Sequence, residues 1–127
     1  MGILSSLNPF TFSRKSGAAW NTLMAAYTFD QLSEEKRKQV IEKVVEIESS
    51  VKGRPVTFLE ITATMTTAQK YYFFSLAMMN LGIVPALGND LWHEVKNPYT
   101  DILGAEELIT STKHQLEKQF NVEFPIF

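Results

Sequence analysis

The stretch TFLEITATMTTAQKYYFFSLAMMNL, residues 57–81, decides the fold, because it is too apolar to leave a broad face in water. Thr57 followed by Glu60 is the pattern in which a threonine hydroxyl caps one end-amide of a helix and a glutamate reaches back to cap another. Val56 and Ile61 occupy the positions of a hydrophobic staple, and Pro55 suits the turn that enters the helix. The spacing therefore predicts one helix running from Thr57 to Leu81, where Leu81-Gly82-Ile83-Val84-Pro85 reads as a stop.

On a wheel of 100° per residue, Leu76, Met65, Tyr72, Met79 and Ala68 share one sector, and Tyr71, Met78, Phe74 and Leu81 continue round it. Thr66, Gln69, Lys70 and Asn80, with Phe73 and Ala77 among them, leave only a narrow wetter strip. Such a helix is a central core element or a membrane span. The uncharged run from Tyr71 to Asn89 is long enough to raise the second option. Ser75, Asn80, Gly82, Pro85 and Gly88 interrupt it, so the core reading is preferred.

The flanking segments supply helices to surround it. Ser16 is placed to cap a helix from Gly17 to about Phe29, in which Trp20, Leu23, Met24 and Tyr27 recur at i, i+3, i+4, i+7. Ser33 precedes EEKRKQVIEKVVEIESSV, whose acidic first turn suits the positive end of the helix dipole. Val40, Val44, Ile47 and Val51 form its stripe, and Glu34, Lys38, Glu42 and Glu46 run along the outer face. Lys36, Arg37 and Lys38 have acidic neighbours and read as a solvated face. Lys52-Gly53-Arg54-Pro55 ends this helix. After Gly88, NDLWHEVK reads as a short helix ended by Asn97-Pro98. A last helix runs from Thr100 or Asp101 to Phe120, with Ala105, Ile109, Thr112, Leu116 and Phe120 as its stripe. The closing NVEFPIF alternates Val122, Phe124 and Ile126, as an extended segment with one apolar side does.

These elements predict an all-α, single-domain bundle of four main helices plus a short helix, spanning residues 1–127. It carries an apolar N-terminal arm at residues 1–16 and an extended apolar C-terminal tail at residues 122–127. The arm contains Ile3, Leu4, Leu7, Phe10 and Phe12, but Pro9 and the lack of a basic start argue against a signal peptide. Gly2 and Ser6 match the M-G-x-x-x-[ST] myristoylation pattern, which would permit peripheral membrane association.

Composition narrows the function. A chain of 127 residues with 12 basic and 14 acidic side chains has a net charge of −2 and no general attraction for phosphate backbones, so nucleic-acid binding is disfavoured. The absence of cysteine excludes disulfides, thiolate metal sites and a cysteine nucleophile, and suits a cytoplasmic location. The best catalytic or metal constellation is Asp90, His93 and Glu94, at i, i+3, i+4. A metal needs at least three converging ligands, and only His114 could add another imidazole. The Asp90–His93 pair has its counterpart in Ser111–His114, which fails as a di-metal motif. Wheel positions also turn His93 about 200° from Leu91 and His114 about 140° from Ile109, towards solvent. No phosphate loop, dinucleotide fingerprint, nucleophile elbow or H-E-x-x-H occurs, and no metal or cofactor is predicted.

Three functions follow in order. The first is a non-enzymatic protein-interaction module, such as an adaptor, inhibitor or accessory subunit. It would bind a protein partner or a second copy of itself through a helical face or through Phe10, Phe12, Phe124 and Ile126. The second is a small-molecule or lipid binder whose pocket wall is Tyr72, Phe73, Leu76, Met79 and Trp92. The third is an enzyme built on Asp90, His93 and Glu94, which lacks parts.

Overall fold

The computed structural model describes residues 17–83 and 105–126. All its regular structure is α-helical, in five described helices: α1 (Gly17–Asp30), α2 (Glu34–Lys52), α3 (Phe58–Thr64), α4 (Thr67–Asn80) and α5 (Glu106–Phe120). The expected helix at residues 89–96 lies outside the described residues, as do residues 101–104 at the expected start of α5 and the Ser16 cap of α1. No described helix is long and apolar enough to cross a membrane.

The caps explain most of the boundaries. Ser33 accepts the Lys36 N–H at 3.2 Å to start α2, and Gly53 ends it at φ 68, a left-handed position that glycine takes without a Cβ penalty. Thr57 accepts the Glu60 N–H at 3.1 Å to start α3. The Glu60 carboxylate departs from the expected capping box and takes Arg54, at 2.6 and 3.3 Å from its two terminal nitrogens. Val56 and Ile61 meet in one buried cluster, as a staple requires.

The single helix expected over residues 57–81 is two. Thr66 and Gln69 form a second capping box: Gln69 N–H donates to Thr66 Oγ1 at 3.2 Å and Thr66 N–H donates to Gln69 Oε1 at 2.9 Å. The T-x-x-Q signature was present at residues 66–69, but the apolar periodicity running through it concealed it. Helix α4 stops where expected, with Gly82 at φ 77 and the Ile83 N–H reaching back to the Met78 carbonyl at 2.7 Å.

Splitting the helix also overturns the wheel. Met79, placed on the most apolar sector, is 51 % exposed, and Leu76 and Tyr72 are half-buried. Of the strip expected to be wetter, Gln69, Lys70, Phe73 and Ala77 are buried and Thr66 is half-buried, while Asn80 is exposed as expected. Helix α4 lies between α1 and α2, so two neighbours share its circumference and only the sector through Met79 and Asn80 faces out. Gln69 enters because its amide is spent on the cap. Lys70 enters with the Glu106 carboxylate nearby, while burial pulls its ammonium below the usual lysine range.

Helix α1 is as central as α4. Nine of its residues are buried, among them Ala18, Ala19, Ala25 and Ala26, so small side chains let its neighbours approach closely on several sides. Asn21 and Thr22 are carried inside by bonding to their own helix, donating to the Gly17 and Ala18 carbonyls at 2.9 and 2.7 Å. The stripe expected on α2 drifts: Val40, Val44 and Glu48 are buried, Ile47 is half-buried, and Val51 is 57 % exposed.

The buried apolar residues form two clusters. The first joins Ala18, Ala19, Leu23, Met24, Ala68, Ala105, Ile109 and Phe124. The second joins Ala25 and Ala26 to Val40, Val44, Val56, Ile61, Tyr71, Phe73, Phe74, Ala77 and Met78.

Candidate binding groove

At the edge of the first cluster, α1, α5 and the tail meet around an apolar cavity of ≈ 280 Å³. Trp20, Met24 and Tyr27 supply one wall from α1, at i, i+4, i+7, and Leu116 and Phe120 supply another from α5. Val122 and Phe124 close the third side, two residues apart, as alternate side chains of an extended segment must be.

Three local features hold the tail in place. Asn121 adopts φ 53, a left-handed position that asparagine tolerates, and so turns the chain back at the end of α5. The Phe124 N–H then donates to Glu117 Oε2 at 2.8 Å, and Lys113 Nζ pairs with the same carboxylate at 3.0 Å. Those partners, first the Phe124 amide and then Lys113, hold the Glu117 carboxyl below its ordinary range. Finally, the Phe124 ring packs against Tyr27 with centroids 5.9 Å apart and is itself only 5 % exposed.

The expected alternation of the tail is present: Phe124 is buried, Val122 and Ile126 are half-buried, and Glu123 and Pro125 are exposed. Phe124 therefore serves the chain's own core, and Ile126 packs against both clusters. Phe10 and Phe12, the other two residues singled out for interaction, lie outside the described residues, as does Gly2. The side chain left to solvent at the groove is Phe120, 61 % exposed at the last turn of α5.

The residues expected to wall a pocket along the central helix occupy different surroundings. Phe73 is buried in the second cluster and sets its ring edge-on to Tyr72 at 5.5 Å, Leu76 is half-buried, and Met79 faces out. Trp92 lies outside the described residues, and so do Asp90, His93 and Glu94. His114 is exposed on α5, beside an open depression lined by Glu106, Glu107, Thr110 and Ser111. Among the described residues no group of three or more histidine or acidic side chains is placed to hold a metal ion.

One polar link was missed from sequence. Glu106, to which the sequence assigned no role inside the last helix, accepts the Ala68 N–H at 3.2 Å and so ties the start of α5 to an amide at the start of α4. The sequence separation of these residues leaves no local pattern to find.

Compared with known proteins, the chain matches no family model, no curated protein and no solved structure.

Proposed function

We propose that the chain is a protein-interaction module, an adaptor, inhibitor or accessory subunit, that receives an apolar helical segment of a partner protein in the groove between α1, α5 and the tail. The observation that carries this reading is Phe120, an aromatic ring 61 % exposed on the lip of a cavity whose other described walls are Trp20, Met24, Tyr27, Leu116, Val122 and Phe124. Exposed aromatic surface beside a preformed apolar depression is the composition of an interface core. The described walls offer only the Trp20 indole N–H and the Tyr27 hydroxyl as polar side-chain groups. A metabolite site would need several fixed polar contacts and near-complete enclosure. An open apolar groove better suits the i, i+3/i+4, i+7 anchors of an amphipathic helix.

A displayed library of amphipathic helical peptides, panned against the full chain, tests this. The expected result is enrichment of peptides with apolar anchors at those spacings, whose affinity falls at least about tenfold in Phe120→Asp, since truncated interface anchors commonly cost that much. Failure to enrich any such peptide, together with a saturable change in the emission of Trp92→Phe, which keeps Trp20 as its one indole, on adding dodecanoate, would replace the protein partner with an acyl chain.

A further inference from the structure

Helices α3 and α4 are joined by two non-helical residues, Met65 at φ −103, ψ 146 and Thr66 at φ −68, ψ 166. Neither is glycine or proline, so no steric rule keeps either out of the helical region. The interruption is made by side chains, through the reciprocal bonds between Thr66 and Gln69 at 2.9 and 3.2 Å. Despite so slight a device, the chain folds back on itself. The rings of Phe58 and Phe74 lie 6.1 Å apart, whereas a continuous helix would separate the same two residues by about 24 Å.

The grip of α3 on the body is correspondingly small. Ile61 is its one buried residue, Phe58 is half-buried, and Leu59 is 77 % exposed. Its ion pair, Arg54–Glu60, ties it to its own entering segment, and the side chains are 54 % and 34 % exposed and therefore well screened. The same residues read as one uninterrupted helix from sequence, because their apolar periodicity runs through the junction.

We infer that α3 is a hinged flap. In the closed state it covers the cluster of Val40, Val44, Tyr71 and Phe74, held by the burial of Val56, Phe58 and Ile61 and by the Thr66–Gln69 box. In the open state Met65 and Thr66 turn helical, residues 58–80 become one helix, and the face that carried Phe58 and Ile61 leaves the cluster. Opening gives up buried apolar surface and exchanges the side-chain acceptors of the Thr66, Ala68 and Gln69 N–H groups, which are Gln69, Glu106 and Thr66, for the carbonyls of the preceding turn. The hinge touches α5 only through the Ala68–Glu106 bond in its first turn, away from Leu116 and Phe120 of the groove, so the two readings are tested separately.

The chain has no cysteine, so Leu59→Cys and Asn80→Cys, both at exposed positions, give a clean pair of spin-label sites. Closed, these sites are brought near by the fold-back at Phe58 and Phe74; open, they stand about 32 Å apart along one helix. Two hinge variants set the limits. Thr66→Ala with Thr67→Ala removes the cap and adds helix-forming residues. Thr66→Pro gives up both bonds to Gln69 but keeps the interruption by itself, because φ −68 suits the proline ring, ψ 146 at Met65 is the conformation that a following proline favours, and proline has no N–H for the Thr62 carbonyl of a continuous helix. The expected outcome is a component near 32 Å in the double alanine variant, at least about fivefold above the parent, as the loss of one cap implies, and absent in Thr66→Pro. A double variant that melts cooperatively and gives the same distance distribution as Thr66→Pro would overturn the flap. If the double variant does not melt cooperatively, Thr66→Ala alone, set against Thr66→Pro, is read for the same two outcomes.

Discussion

The two apolar clusters share helices α1 and α4 yet finish differently. In the second, rings occupy the centre: Phe74 is fully buried, and Phe29, Tyr71 and Phe58 surround it at centroid distances of 5.1, 5.4 and 6.1 Å. In the first, Ala18, Ala19, Ala68 and Ala105 share the centre with Leu23, Ile109 and one buried ring, Phe124, while Trp20 and Tyr27 stand half-buried and Phe120 exposed at the edge. Small residues inside let helices close up, and large ones outside leave depressions between them. The difference leaves an exposed ring, Phe120, beside the first cluster, whereas the described rings of the second are buried or half-buried.

The comparison is broken most severely at its filled end. Phe74→Ala removes the ring on which three others converge, and core phenylalanine truncations cost about 3–5 kcal/mol. For a domain of this size that corresponds to a fall in melting temperature of roughly 10 °C or more. Met79→Ala, on the outward sector of the same helix, should melt within about 2 °C of the parent. Equal losses from the two variants, measured by calorimetry, would show that the burial of α4 is reversed.

At the other end, Phe124→Ala is expected to cost about 1.5–3 kcal/mol, the transfer term for one phenylalanine ring. The tail can detach without leaving a sealed void, so the cavity penalty of a core site is absent. Hydrogen exchange should then show faster exchange at residues 122–126 while the amides of α2 and α4 keep their protection. Loss of protection throughout would mean that the tail is integral to both clusters.

How much of this was legible in sequence depends on the range of the cause. The cap at Ser33, the stop at Gly53, the stop after Leu81 and the alternation of the tail are written within a few residues, and the chain obeys them. Each wall of the groove was also visible as a stripe: Trp20, Met24 and Tyr27, then Leu116 and Phe120, then Val122 and Phe124. Their convergence was not, since it depends on α5 docking against α1 and on Asn121 reversing the chain. The outward turn of Met79 and the burial of Lys70 follow from which helices flank α4, which a wheel drawn on one helix omits. The break at Thr66 was legible in principle, but a weak local signal was outweighed by an apolar period that continued across it.

Acid should loosen the hold of the tail on the first cluster. The Phe124 amide and Lys113 hold the Glu117 carboxyl below its ordinary value of 4.5, so the unfolded or undocked state takes up a proton at higher pH than the docked one. Protonation therefore favours release: the contribution to docking is complete above the ordinary value and is lost as pH falls through the lower, folded one. The Phe124 amide resonance, followed by NMR from pH 6 downwards, should keep its docked position to below pH 4.5 and then move towards random coil. Glu117→Gln keeps an acceptor but removes the titration, so that transition should flatten and the melting temperature at pH 7 should fall by a few degrees. An unchanged transition in Glu117→Gln would assign the acid response to another carboxylate, with Glu60 next in line, because Arg54 holds it low as well.

The smallest effect on stability is expected where the groove is most exposed. Phe120 contributes little buried surface, so Phe120→Asp should change stability by no more than about 0.5 kcal/mol, as exposed substitutions generally do. Its effect on the surface should be larger, because a carboxylate at the lip would have to be desolvated by any apolar occupant. Anilinonaphthalene sulfonate, a dye that brightens on apolar surfaces, separates the two properties. The parent should bind it with enhanced emission, Phe120→Asp should lose most of that enhancement, and Met79→Asp, which alters an exposed side chain outside the groove, should keep it. If Met79→Asp dims the dye as much as Phe120→Asp does, apolar exposure is spread over the surface, and the contrast between a filled end and an available end fails.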